Sequence, residues 1–344
     1  MSLSSSLVHP VRRGRGPGCD GTCHDGVVGL DVEATHDRLR PLMFAIAYRM
    51  LGSVAEAEDV VQEGFIRLQG ARDVESVEAY ATTVTTRLAI DALRSARVRR
   101  ERYVGSWLPE PLVTSGAPLM SGTSAAPDPA DVAVRRESLA VAVLMLMEEL
   151  GPVERAVYVL REAVGLDYPR IGEIVERSPQ ACRQLYSRAR RRLAAATPPD
   201  GAGPDRASVA EALVDALHRQ DVARVEALLA ADVRFHADGG GRAPAIARPL
   251  EGAEAVARFL VGLARRGAPL GIELDVIEAN GGPALRARGA DGAWLALMSV
   301  QVAGGRVVGL QNQINPDKLA HLGPVGDLAA LLAGGDGRAP GTAG

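Results

Sequence analysis

Residues 169–196, PRIGEIVERSPQACRQLYSRARRRLAAA, decide how the chain is read. In PRIGEIVE, Ile171, Ile174 and Val175 recur at helical spacing, which predicts a short helix with one apolar face. Arg177-Ser178-Pro179 interrupts it. Ser178 is a preferred helix N-cap, and Pro179 suits the first position of a following helix, where its missing N–H has no partner to lose. That second helix turns Ala181, Cys182, Leu185, Ala189 and Leu193 inward and Gln180, Arg183, Gln184, Ser187, Arg188, Arg191 and Arg192 outward. Arg177 to Leu193 holds six arginines (177, 183, 188, 190, 191, 192) and no acid, in a chain of formal net charge −3. Two helices joined by a short turn, the second rich in arginine, form the pattern of a helix-turn-helix with its second helix in the major groove. There arginine pairs with guanine edges or phosphates and glutamine with adenine. The competing reading is a solvated basic face on an ordinary bundle helix.

Upstream, helical periodicity covers about 34 to 102. Leu39, Leu42, Met43, Ile46 and Met50 form one stripe that Gly52 ends. Ser53 then caps a helix with Ala57, Val60, Val61, Phe65 and Leu68 inward and Glu56, Asp59, Gln62, Glu63 and Arg67 outward. A third helix runs from about Ser76 to Arg102, with Val77, Tyr80, Val84, Leu88 and Leu93 inward. It carries a second basic run, Arg87, Arg94, Arg97, Arg99, Arg100 and Arg102, opposed only by Asp91 and Glu101. Two basic helical surfaces on one chain suit two contacts on one duplex, since the first raises the effective concentration of the second.

Between them, residues 103–130 hold five prolines and no helical stripe and read as a linker. Trp107 is out of place there, because a floating tryptophan forfeits its burial. Helical periodicity resumes over 131–197, and 198–205 is a second linker. From 206 to 322 two helical stretches, a short strand at ADVRFHAD, another helix and three strand-like runs separated by Gly-rich turns predict an α+β domain whose curved sheet folds over helices. Residues 1–33 read as a disordered leader and 323–344 as a flexible tail.

The chain has 344 residues, of which 47% are apolar and 24% charged, ordinary for two or three globular domains. Lys318 is the sole lysine among 39 basic residues. Cys19, Cys23 and Cys182 build no disulfide framework, which points to a reducing cytoplasm, and Cys19-x-x-x-Cys23-His24 lacks the second cluster of a zinc site. The longest clearly apolar run, Leu139 to Met147, is about half a bilayer crossing, so no membrane partner is expected. No nucleophile triad, Walker-type loop or paired metal cluster appears, so neither a catalytic site nor a cofactor is expected.

With these residues in view, the chain resembles the extracytoplasmic-function sigma factors of bacterial RNA polymerase. AEDVVQEGFIRL (57–68) is similar to the family's polymerase-binding helix, YATTVTTRLAIDALRSARVRRE (80–101) to its −10 element segment, and the helix-turn-helix to its −35 reader. A subgroup carries a fused SnoaL-like domain, an α+β cone, with three short signatures. All three are present: Trp107-Leu108-Pro109-Glu110-Pro111, Asp238-Gly239-Gly240-Gly241-Arg242 and Asn315-Pro316-Asp317-Lys318-Leu319. Arg242 departs from the lysine usual there, keeping charge but changing donor geometry. The resemblance implies two all-α sigma domains, regions two and four, followed by the cone.

It also implies roles. Asp59, Gln62 and Glu63 would meet the clamp helices of the polymerase largest subunit, and region four its flap. Arg94, Arg97, Arg99 and Arg100 would hold phosphates beside the −10 element, with the loop around Arg72 to Ser76 accepting a flipped base. Ser178, Gln180, Arg183, Gln184, Ser187, Arg188 and Arg191 would approach the −35 element. WLPEP would dock on the other two signatures, with Lys318 or Arg242 pairing with Glu110, so that no separate anti-sigma factor is required. The plainer reading makes NPDKL a cap and DGGG a hairpin. Two rivals stand beside this: a one-component regulator with a small-molecule ligand in the cone, and an isomerase or cyclase using His236 and Asp238.

Overall fold

A computed structural model describes residues 32–71, 74–100, 103–114, 140–194 and 205–335. The leader through residue 31, including Cys19 and Cys23, the loop positions Arg72 and Asp73, residues 101–102 with Arg102, the rest of the first linker and the start of the second helical domain (115–139), residues 195–204 with most of the second linker, and the tail from 336 lie outside the described residues.

The first unit is three helices, α1 (Val32–Leu51), α2 (Val54–Gln69) and α3 (Val77–Arg100). Gly52, at φ +66°, turns the chain between the first two, and the Ser53 hydroxyl caps α2 by accepting from the Glu56 amide at 3.2 Å. Leu39, Met43, Ile46, Ala57, Val60, Val61, Ala81, Ile90 and Leu93 fill the space between them.

The second unit begins with α4 (Val141–Met147) and α5 (Pro152–Val159), which runs into a π-helical turn at Leu160–Val164. The helix-turn-helix follows as α6 (Tyr168–Val175) and α7 (Pro179–Ala194). Its corner depends on Gly172: a Cβ there would lie 2.5 Å from the Arg177 carbonyl oxygen, inside van der Waals contact. Glu176 closes α6 in the left-handed region, at φ +56°. The two helical units share one apolar core, in which Tyr48, Met50 and Leu51 of α1 pack with Leu144, Val157, Leu160, Ile171 and Ile174. Arg155 is buried in it, donating to the Arg49 carbonyl at 3.1 Å and to Glu148 at 2.6 Å, and burial pulls its guanidinium pKa down to about 9.

The third unit has α8 (Arg206–His218), α9 (Val222–Leu228), β1 (Leu229–Asp238), β2 (Leu250–Glu251), α10 (Ala253–Gly267), β3 (Glu273–Ala279), β4 (Gly282–Arg288), β5 (Trp294–Ala303), β6 (Arg306–Gln313) and α11 (Pro316–Leu319). The strands form a single sheet in the order β2-β1-β6-β5-β4-β3, antiparallel except for the parallel β1–β6 pair. Leu213, Leu217, Val256 and Leu260 of the helices pack on Phe235, Val300 and Leu310 of the sheet, which is the α+β arrangement expected.

Beyond Leu322 the expectation of a free tail fails for the described residues. Val325 bridges Trp294 at the start of β5, and a helix, α12 (Leu328–Gly335), follows with the Asp327 carboxylate accepting from the Ala330 amide at 2.9 Å. Ala and Leu favour helix, but eight residues ending in Gly-Gly are too few to hold one alone, and here the apolar wall that Leu328 and Leu332 cover completes it.

Candidate nucleic-acid interface and linker clamp

In the helix-turn-helix, Asp167 caps α6 and Ser178 caps α7, each oxygen accepting an amide three residues on, at 3.0 and 3.2 Å. Cys182, Ala189 and Leu193 anchor α7 on the core, which leaves Gln180, Arg183, Gln184, Ser187, Arg188 and Arg191 exposed beside Ser178. Arg183 lies over the Tyr168 ring at 5.6 Å, and Arg192 turns back to Glu154 at 3.3 Å. On α3, Arg94 is exposed and pairs with Asp91 at 3.0 Å. The side chains of Arg97, Arg99 and Arg100 lie outside the described residues, although the helical backbone continues through them. On α2, Asp59 and Gln62 are exposed, and Glu63 pairs with Arg67 at 2.9 Å. Ile66 continues this surface with 63% of its area open to water.

Arg87 belongs elsewhere than the sequence suggests. It is not part of a free basic stripe: it donates to the backbone carbonyls of Ile174 at 3.1 Å and Glu173 at 3.2 Å, and pairs with Glu176. From α6, Arg170 answers with bonds to the Ala79 carbonyl and the Thr83 hydroxyl, both 3.3 Å. These bonds fasten α3 to α6.

Residues 103–114 bind all three signatures together. Asp238, fully buried at the end of β1, accepts from the Tyr103 hydroxyl (2.7 Å), the Gly240 amide (3.0 Å), the Leu108 amide (2.8 Å), the Lys318 ammonium (2.7 Å) and the Gln313 amide group (3.3 Å). Lys318 also donates to the Leu108 carbonyl at 2.6 Å and lies 4.3 Å from the Trp107 ring centroid and 4.7 Å from that of Tyr103. Trp107 is therefore one wall of a cation cage. Asn315 caps α11 and donates to the Tyr103 hydroxyl at 2.8 Å, so NPDKL is a cap and a linker contact at once. Burial and Asp238 push the Tyr103 phenol above its ordinary pKa, keeping it a donor. Gly240, at φ +57°, is required by contact as well as conformation, since a Cβ would come within 2.2 Å of the Asn315 amide nitrogen. Pro109 and Pro111 present their carbonyls to Gln313 (3.4 Å) and His321 (2.7 Å).

Glu110 pairs with neither Lys318 nor Arg242, contrary to the sequence expectation. Lys318 is taken by Asp238, and Arg242 forms an exposed pair with Asp317 at 3.0 Å. The Glu110 carboxylate instead accepts from the Ser53 hydroxyl (2.8 Å) and the amides of Val54 (2.7 Å) and Ala55 (3.3 Å), capping α2 from outside the helix. Unpaired N–H groups and the positive end of the helix dipole draw it there. Its backbone amide donates to the Gly52 carbonyl at 2.8 Å and its carbonyl accepts from the Tyr48 hydroxyl at 2.6 Å. The Tyr48 hydroxyl accepts in turn from Asn280 at 2.7 Å, and the linker's last described residues pair with the end of β3. Tyr48, Tyr103, Asn280, Gln313 and His321 are members of this clamp that motif reading missed. Of these, Asn280 alone falls at a turn the sequence marked as Gly-rich, and the structure places that turn at Asn280-Gly281, both at positive φ.

The rival acid–base pair does not share the cone. Asp238 is committed to the clamp, and His236 lies on the opposite side of β1 from Phe235 and Ala237, which line the interior. Burial and then Arg234 hold the His236 imidazole below its usual value. Folding thus favours the neutral ring, and the cone is expected to lose stability as pH falls below about 6.5, in a thermal melt that His236→Phe flattens.

A helix-turn-helix, a second basic helical unit and an α+β cone fastened to the segment that follows that second unit define a modular DNA-reading protein. Family models agree: sigma-70 region 2 matches residues 36–99, sigma-70 region 4 matches 140–193, and the SnoaL-like domain matches 210–307. The chain belongs to the extracytoplasmic-function sigma factors, which bind RNA polymerase and direct transcription initiation. It is 35% identical over 293 residues to the ECF RNA polymerase sigma factor SigJ of Mycobacterium tuberculosis, covering 82% of this chain and 91% of that protein. The SigJ crystal structure matches with a TM-score of 0.65 at 31% identity, over 84% of this chain and 98% of that one. A probable sigma factor from the same organism, SigI, is 37% identical over 158 residues, 45% of this chain and 51% of its own length. Among the described residues, no helix is long and apolar enough to cross a membrane.

Proposed function

We propose that the arrangement described here is the resting form of the sigma factor, and that the cone, acting through the 103–114 clamp, keeps its two promoter readers at the wrong span until polymerase separates them. The observation that carries this is the bonding of α3 to α6 through Arg87 and Arg170. The −10 and −35 elements lie about 25 base pairs apart, ~85 Å of duplex. Two units in direct contact do not reach both. The exposed faces of α2 and α7 remain available in this form, so polymerase docking comes first and opening second.

In this reading Asp59, Gln62 and Glu63, with Ile66 beside them, meet the clamp helices of the largest subunit, and α7 lies near the flap. Arg94, Arg97, Arg99 and Arg100 hold −10 phosphates, while Ser178, Gln180, Arg183, Gln184, Ser187, Arg188 and Arg191 face the −35 element. The protein acts in the cytoplasm, needs no separate anti-sigma factor and carries out no catalysis of its own.

Run-off transcription with core polymerase tests this. Arg188→Ala is expected to weaken promoter discrimination by about 1–3 kcal/mol at one −35 position, leaving core affinity unchanged. Asp59→Arg is expected to weaken core binding at least tenfold while the free protein stays folded and closed. Arg87→Ala, which cuts three contacts between α3 and α6, is expected to enlarge the free protein in solution scattering and raise transcription at limiting polymerase. A compact Arg87→Ala protein with unchanged transcription would count against the resting form.

A further inference from the structure

A cavity of about 210 Å³ lies inside the cone, between the sheet and helices α8 and α10. Its room comes from two small residues, Ala287 and Ala296, which face each other across β4 and β5. Asn312 is the polar strand residue lining it, and His218 and Gln220 line it at and just beyond the end of α8. Asn312 is flanked across the strands by Ala237 and Met298, and its carboxamide has no hydrogen-bond partner among the described residues. No carboxylate, ammonium or guanidinium group of the described residues lines the space. The mouth is covered by Leu328 and Leu332, one turn apart on α12. That helix has eight residues, ends in Gly-Gly and buries no side chain fully, so it is a weakly held cover.

Strand alternation links this space to the clamp. Ala237 and Asn312 are register partners facing inward, and the next pair along the same strands, Asp238 and Gln313, holds the linker. Only residues 320–327 separate α12 from α11, which carries Lys318.

We propose that the cone is a receptor for an uncharged, mainly apolar molecule of about ten carbons with one hydroxyl or carbonyl end on Asn312, admitted past α12, and that its entry loosens the linker clamp. The size follows from scale: a dry aliphatic cavity of about 150 Å³ takes benzene, and this one is larger. The coupling half rests on the clamp being regulatory; the binding half does not.

2-Naphthol is a suitable probe, titrated by calorimetry into the full-length protein without polymerase. Saturable one-to-one binding is expected. Asn312→Leu should weaken 2-naphthol about tenfold yet leave naphthalene, which lacks the hydroxyl, unchanged. Filling the floor with Ala296→Phe, or with Ala287→Leu should the first variant misfold, should abolish both. Decanoate, of similar length but charged, should not compete. On saturation, amide exchange across 103–114 should rise. Absent saturation, or binding indifferent to the filling variants, overturns the site. Binding with unchanged exchange over 103–114 overturns the coupling, and neither result depends on promoter recognition.

Discussion

Replacing Lys318 with methionine is expected to unfasten residues 103–114 from the cone. Lys318 and Asp238 are both buried, and Asp238 gathers five donors of which the ammonium alone carries charge. Removing one partner of a buried pair leaves an uncompensated ion, a cost of about 3–5 kcal/mol. The Leu108 amide and carbonyl both bond within this pair's cluster, so the linker loses its grip along with the ion pair. Hydrogen exchange at Leu108 should accelerate by two orders of magnitude or more, and Trp107 should move into water. Lys318→Arg should fail almost as badly although it keeps the charge. The site is a cage of two ring faces, one carbonyl and one carboxylate, which suits a compact ammonium and not a flat guanidinium. In a chain whose other 38 basic residues are arginine, counted as 39 less this lysine, the exception stands where only a lysine fits.

Glu110→Ala should produce the second large effect, on the opposite side of the linker. Its carboxylate satisfies two first-turn amides of α2 and the Ser53 hydroxyl, a cap supplied from 56 residues away along the chain. Caps and helix-end charges of this kind contribute about 2 kcal/mol together, so exchange at Val54 and Ala55 should speed up about thirtyfold. Glu110→Gln keeps the shape but must turn an NH2 group toward donors, and should recover only part of the loss. The linker should remain on the cone in both variants, because Asp238 and Lys318 are untouched. Since α2 also bears Asp59, Gln62 and Glu63, the same carboxylate ties the regulatory segment to the surface assigned to polymerase.

Both results separate what was legible in the sequence from what was not. Helices α2 and α7 were readable because their signals are local: Ser53 sits at the start of one, Ser178 and Pro179 at the start of the other, and one apolar stripe runs along each, as it does along α6. The three signatures were readable as words but not as pairings. Which cation meets which carboxylate is decided between residues 75 and 80 positions apart, and a glutamate in a proline-rich linker carries no sign that a helix end awaits it. Arg87 looked like its neighbours in the basic run because two of its three partners are backbone carbonyls, which every residue has. The α12 helix was unreadable for a related reason, since its stability comes from the surface it covers.

The separation between the two promoter readers tests the central claim most directly. Spin labels at Ser95→Cys on α3 and Arg190→Cys on α7, both at exposed positions, in a chain with Cys19 and Cys23 replaced by serine, report it by pulsed dipolar spectroscopy. Cys182 is buried and stays unlabelled. The account predicts one short, narrow distance in the free protein, replaced by one near the span of two promoter elements when core polymerase and promoter DNA are added. A free protein already at the long distance, or an initiating complex still at the short one, would contradict it.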